Sequence, residues 1–299
     1  MESKFPLIIV TGPTASGKTK LAIDLARAFD GEIICADSRT VYKEMNIGTA
    51  KPTTAEMNGI QHHLLDLIYP NEKFTLWNFQ HLAKAKIDDI RSRGKMPFLV
   101  GGSGLYVDSI LFDYQLNEQP ADAMMRKELE KLSIEQIQSM LIKQRIKLPE
   151  NFDNKRYLIR TLEQSGVNDH RRRVPIENAI VVGIATDKSI LEQRIRKRAQ
   201  AMLETGLVEE VEKLLDKYGD QEPLRKNAYG IVAEYLHGGI KTRDEVVAKI
   251  TTADRQLAKK QMTWFSRNPF MNWLSLDRAY DQISRLIAKQ ANINFKNAN

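Results

Sequence analysis

What most restricts this chain is a single octapeptide, Gly12-Pro13-Thr14-Ala15-Ser16-Gly17-Lys18-Thr19, set between two different hydrophobic patterns. Before it runs Leu7-Ile8-Ile9-Val10, a short uninterrupted apolar stretch of the kind that forms a strand buried on both faces. After it comes Lys20-Leu21-Ala22-Ile23-Asp24-Leu25-Ala26-Arg27, where Leu21, Leu25 and Phe29 recur at helical spacing. The order strand, glycine loop, helix start is what a phosphate cradle needs, and Gly-x-x-x-x-Gly-Lys-Thr is the P-loop spacing. Gly12 and Gly17 let the backbone curl until its N–H groups converge, and the following helix dipole adds positive potential there. Lys18 can reach a terminal phosphate and the Thr19 hydroxyl can bind Mg²⁺. The loop implies a di- or triphosphate ligand without saying which one, or what group is transferred.

Further strands are read at Glu32–Asp37, ending in a carboxylate, Met96–Val100 and Ala179–Ile184, with Trp273-Leu274 as a last edge strand. Helices are read over 75–93, after Asp187, from Gly206, from Asp244 to about Ser266, and from Asp277 to about Ala291, with fraying beyond. The fold class predicted is α/β, a P-loop-type parallel sheet flanked by helices, with a small helical insertion. In such sheets ligands sit outside the carboxyl ends of the strands, which brings Asp37 beside the P-loop. Spacing alone equally allows an N-cap or turn role for Asp37. Gly101-Gly102-Ser103-Gly104 is a second glycine-rich strand-to-helix turn at the same sheet edge, presenting the Ser103 hydroxyl. His62-His63 has no Cys or carboxylate partner at ligand spacing and is read as structural. Trp77 and Phe79 are read as core.

The pattern changes from about Asn117. Glycine is absent from 105 to 165, and nine Lys/Arg face four Asp/Glu between Leu141 and Arg173. Residues 116–177 are therefore set apart as a helical insertion between two halves of a core, 1–115 and 178–299. Its basic runs, Lys155-Arg156-Tyr157-Leu158-Ile159-Arg160 and Arg171-Arg172-Arg173, suit a phosphate backbone or, equally, a solvated helix face. The net charge of +7 is compatible with an anionic partner. A lone cysteine, Cys35, excludes an intramolecular disulfide framework and fits a reducing cytosol. No run suits a membrane span, and no signal-peptide layout precedes Leu7. A cytoplasmic, membrane-free protein is expected.

The order of motifs resembles the tRNA dimethylallyltransferase (tRNA isopentenyltransferase) family. The resemblance rests on GPTASGKT at 12–19, ADS at 36–38, IGTAKP at 47–52, HHLLD at 62–66, VGGSGLY at 100–106 and RQLAKKQMTWF at 255–265. It implies transfer of a dimethylallyl group from dimethylallyl diphosphate to N6 of the adenosine 3′ of the anticodon, with Mg²⁺ on Thr19 and a helical tRNA-gripping insertion. By the same resemblance Asp37 is the general base that hydrogen-bonds N6–H, Ser103 stands at a family threonine, and Arg225 contacts the leaving diphosphate. The RNA grip would come from Asp37, Ser38, Arg39 and Thr40, from Arg126, and from Arg156, Tyr157, Leu158, Ile159 and Arg160. The partners implied are tRNA, through its anticodon stem-loop, and dimethylallyl diphosphate, and the working unit expected is a monomer.

The chain departs from the family pattern at Ser103, at Ala228-Tyr229 followed by Gly230-Ile231, and after Arg160-Thr161-Leu162-Glu163, where Thr-Gly-Lys is missing. It resembles a diverged bacterial paralogue with a shortened insertion. Two other activities compete: prenyl transfer to free adenine nucleotides, and a small-molecule P-loop kinase. A non-catalytic RNA-binding relic would not retain Lys18, Thr19, Asp37 and Arg225.

Overall fold

A computed structural model describes residues 5–116, 123–163 and 172–292. Its centre is one six-stranded, all-parallel sheet. The strands are β1 (Leu7–Thr11), β2 (Gly31–Cys35), β3 (His62–His63), β4 (Met96–Gly101), β5 (Ala179–Ala185) and β6 (Asn272–Ser275), in the spatial order β3-β2-β4-β1-β5-β6. Strands β1, β2 and β4 are buried at every position, so both faces of the sheet must be covered. Alternation divides the coverage. Ile8 and Val10 face helices α1 (Lys18–Ala28) and α12 (Leu276–Ala291), while Leu7 and Ile9 face α3 (Leu76–Ser92) and α4 (Gly104–Leu111).

Local chemistry starts these helices where the sequence demands. Thr75 closes a capping box with Asn78 at α3, and Asp187 accepts two backbone N–H bonds at the start of α8 (Lys188–Glu204). A four-residue helix, α2 (Thr54–Met57), begins with a Thr53–Glu56 capping box. Phe79 is fully buried and stacks on Tyr106 with ring centroids 4.0 Å apart, as a core residue should. Cys35 is buried against Leu25 and its neighbours, and burial pushes its thiol up to about 12.

Two helical groups lie beside the sheet. In the insertion, α5 (Ala123–Lys131), α6 (Ile134–Lys143) and α7 (Lys155–Glu163) close a small core of Leu129, Ile137, Leu141, Leu158, Ile159 and Leu162. Residues 117–122 and 164–171, Arg171 among them, lie outside the described residues, as do 1–4 and 293–299. The second group is less evident from sequence. Helices α8, α9 (Leu207–Tyr218), α10 (Asn227–Leu236) and the first turns of α11 (Arg243–Phe265) build a core of their own around Tyr229, into which Met45 inserts. The last turns of α11 return to the sheet, where Phe265 joins the core beneath α4.

Candidate active site

At the carboxyl end of β1 the chain turns through Gly12–Gly17 into α1. A bond from Ser16 N–H to Pro13 O (3.2 Å) rounds the loop, and Gly17, at φ 91°, opens the helix. Lys18 folds back over the loop, with Nζ 3.3 Å from Pro13 O. Burial draws the ammonium down to about 8, with Asp37 opposing the shift and Arg198 adding to it. The Ser16 Oγ is buried with no hydrogen-bond partner. A buried hydroxyl, a destabilised ammonium and a helix N-terminus that converge at one point are complementary to an anion.

β2 delivers Asp37 next to this loop. Its Oδ1 accepts the Arg39 N–H at 2.8 Å, which fixes the turn and leaves Oδ2 for another partner. The β4 turn lies against it. The Ser103 N–H donates to Ala36 O (3.2 Å), and the Ser103 Oγ accepts the Ser38 N–H at 3.0 Å. A Cβ on Gly101 would fall 2.0 Å from Ala36 O, so only glycine lets the two strand ends come this close. The loops of Asp37 and Ser103, read from sequence as lying at one sheet edge, are joined by direct hydrogen bonds between Ser103 and both Ala36 and Ser38, the residues on either side of Asp37.

The segment after Asp37 is rigidly held. The Arg39 guanidinium donates to Pro223 O at 2.5 Å and lies 6.0 Å from the Tyr42 ring centroid. Thr40 is buried and Ser38 exposed. Lys51, with only 5% of its side chain exposed, binds Tyr42 O, Asn46 Oδ1 and Asp66 Oδ1 at 2.5–2.9 Å. The Glu210 carboxylate on α9 accepts the N–H groups of Asn46, Ile47 and Gly48, and the Tyr229 hydroxyl at 2.6 Å. The IGTAKP segment is thus a loop without secondary structure, held by one carboxylate and one buried lysine.

Three residues absent from the sequence-based set also belong here. Arg194 on α8 donates to Ser16 O at 3.3 Å, and Arg198, one turn on, is paired with Asp254 at 2.5 Å and keeps a buried Nε without a partner. Gln261 on α11 accepts the Thr14 N–H at 2.7 Å and donates to Gly102 O at 3.0 Å. A mid-helix arginine or glutamine reads as solvent-facing, and the only sequence signal was the position of Gln261 inside RQLAKKQMTWF. Arg225 lies on a 3₁₀ turn, Glu222–Arg225, which also holds the carbonyl that anchors Arg39. Its guanidinium is turned to Asp220, with Nε–Oδ1 and a second bond to Asp220 O both 2.9 Å.

In the insertion, Leu158 and Ile159 point inward, 0% and 3% exposed, which corrects their assignment as RNA contacts: in an amphipathic helix these positions fill the small core. The outer face of α7 carries Arg156, Tyr157 and Arg160. Arg126 and Arg160 converge on Glu163, whose side chain is 2% exposed, at 3.6 and 3.5 Å. Arg172 pairs with Glu177 at 3.5 Å. His62 and His63 form β3, and His63 Nε2 is 2.8 Å from Glu32, a structural role as expected.

The family pattern described as IPP transferase matches residues 40–268, and one described as isopentenyl transferase matches 5–69. A tRNA dimethylallyltransferase from an Exiguobacterium species is 40% identical over 94% of both chains, and one from Bacillus velezensis 38% identical over 93% of both. The crystal structure of a full-length tRNA isopentenylpyrophosphate transferase from Bacillus halodurans superposes with a TM-score of 0.74 at 33% identity, covering 96% of this chain and 97% of that one. A eukaryotic dimethylallyltransferase acting on tRNA, 23% identical, shares the fold with a TM-score of 0.78 over 98% of this chain and 81% of its own. With a family match over residues 40–268 and relatives this similar over nearly their full length, the chain belongs to the tRNA dimethylallyltransferase (IPP transferase) family.

Proposed function

We propose that this protein transfers the dimethylallyl group of dimethylallyl diphosphate to N6 of the adenosine 3′-adjacent to the anticodon of tRNA, releasing diphosphate. The observation that carries the reading is the pairing of an anion cradle with Asp37 and the Ser103 turn at one sheet edge. A kinase would use the cradle and leave the Asp37–Ser38–Ser103 connection without a task. The N6 lone pair forms the new bond to C1 of the dimethylallyl group as the C1–O bond breaks, and its electron pair departs on the diphosphate. Lys18, Arg194 and the first N–H groups of α1 take up that charge, an electrostatic contribution that grows as the bond breaks. Asp37 accepts the N6 proton. Arg225 swings from Asp220 onto the leaving group. Ser103, whose Oγ is held by Ser38, orients the acceptor base.

Oxygen donors suit Mg²⁺, and the exposed Thr19 carries a hydroxyl of that kind. Thr19 would hold the ion, which when bound supplies charge neutralisation on the diphosphate. The target base must leave its stack to reach Asp37, and the cations of the insertion, half-buried Arg126 and exposed Arg156 and Arg160, with exposed Tyr157, support a grip on the stem-loop. The enzyme works as a monomer in the cytosol. Among the described residues no helix is long and apolar enough to cross a membrane.

The test is incubation with dimethylallyl diphosphate and unmodified tRNA, followed by mass spectrometry of the digested nucleosides. Prenylated adenosine from tRNA is expected. Transfer to adenosine monophosphate alone would point to a free-nucleotide enzyme, and ATP-dependent phosphorylation to a kinase.

A further inference from the structure

We propose that Gln261 is a positioning residue for the transfer, a strap that holds the phosphate cradle at a set distance from the acceptor-side turn; the assignment rests on the transferase reading above. One planar amide spans the two loops. Its Oε1 takes the Thr14 N–H and its Nε2 donates to Gly102 O, a carbonyl that can only accept, so the partners themselves fix the orientation of the amide. The two loops start from adjacent strands, β4 and β1, and are tied at the strand ends by the Thr11 hydroxyl, which donates to Gly101 O at 2.9 Å. Beyond those ends each chain reverses independently. Gln261 is a second tie, placed past the sheet, where one loop meets the leaving group and the other the base.

The strap has a fixed anchor. Three residues on, Trp264 donates its indole N–H to Asp108 on α4 at 2.8 Å, and Phe265 is buried in the core. Residues three and four apart share one helix face, so the turn that carries Gln261 is pinned to the element that begins with the Ser103 turn. The fit at the far end is close: a Cβ on Gly102 would lie 2.3 Å from Gln261 Nε2. The strap also fixes what the cradle offers. With the Thr14 N–H turned to α11, the later N–H groups of the loop and of the first turn of α1 are the ones left to meet a phosphate.

Misplacing reacting groups by about 1 Å costs roughly 10²-fold in rate, and a strap that sets separation acts on the transition state more than on either ground state. Gln261→Met keeps the length of the side chain and removes both bonds. It should lower kcat about 10- to 100-fold while KM for each substrate stays within about threefold. Gln261→Glu, which keeps the acceptor and loses the donor, and Gly102→Ala, which displaces the amide, should show the same split. In a Ser103→Ala background the Gln261→Met penalty should shrink, because both changes act through one turn. A purely structural glutamine would lower the melting temperature and leave kcat intact in the folded fraction. A folded Gln261→Met protein with wild-type kcat, or full multiplication of its penalty with that of Ser103→Ala, overturns the strap. Should Gln261→Met not fold, the kcat of Gln261→Glu decides in the same way. Wild-type protein that fails to prenylate tRNA refutes the transferase reading itself, whereas active wild type with an equally active variant refutes the strap alone.

Discussion

Lys18 is held between opposing influences: burial removes water from its ammonium, while the Asp37 carboxylate returns part of the lost stabilisation. Its value near 8 means that a sizeable share of the free protein carries a neutral amine at that pH. A bound diphosphate favours the charged form, so binding at pH 8 takes up protons. Calorimetry in buffers of different ionisation enthalpy should show that uptake, reduced in Lys18→Met by the lysine's share. Asp37 is tested by removal: Asp37→Ala should lower turnover about 10²-fold or more, with tRNA affinity little changed. Both residues were legible in the sequence because the chemistry that marks them is local. Gln261, Arg194 and Glu210 were not, since each acts on a loop more than 150 residues away and looks like ordinary helix surface in its own segment. Leu158 and Ile159 sit within a basic run, but the helical period turns these two inward and leaves its cations and Tyr157 outside.

Among the elements, β2 carries the heaviest electrostatic load. Glu32 is buried there, receives both guanidinium nitrogens of Arg93 at 2.5 and 2.8 Å, and meets His63 from β3. The Arg93 bonds, then His63, hold its carboxyl down at about 2. A carboxylate with a depressed folded value adds stability above its unfolded value near 4.5 and loses it as the pH falls toward 2. The whole effect is on the order of 3 kcal/mol. Chemical denaturation at pH 7, 4 and 3 should show this loss in the wild type and a flatter profile in Glu32→Gln. At the IGTAKP loop, Glu210→Gln should lower the melting temperature, since one carboxylate satisfies three backbone N–H groups and a buried tyrosine hydroxyl. The strands other than β3 and the long helices were readable from the hydrophobic pattern. The second helical core was not, because its four helices contribute apolar residues one turn at a time and Met45 enters from an unstructured loop.

For the molecule as a whole, the excess positive charge matters where it is not already spent. Arg126 and Arg160 share the buried Glu163, whereas Arg156 stands on the exposed face of α7 with no acidic partner among the described residues. The slope of log affinity for tRNA against log salt should flatten by about one for Arg156→Ala and by less for Arg160→Ala, read from filter binding between 50 and 200 mM salt. The parts of the site are drawn from distant regions of the chain: the cradle from residues 12–19, its neighbouring turn from 101–104, and the amide that joins them from residue 261. During synthesis the phosphate loop leaves the ribosome first and must wait for almost the entire remaining chain before its geometry is complete. A polypeptide cut short before α11 would carry every residue of the P-loop and still lack a finished site.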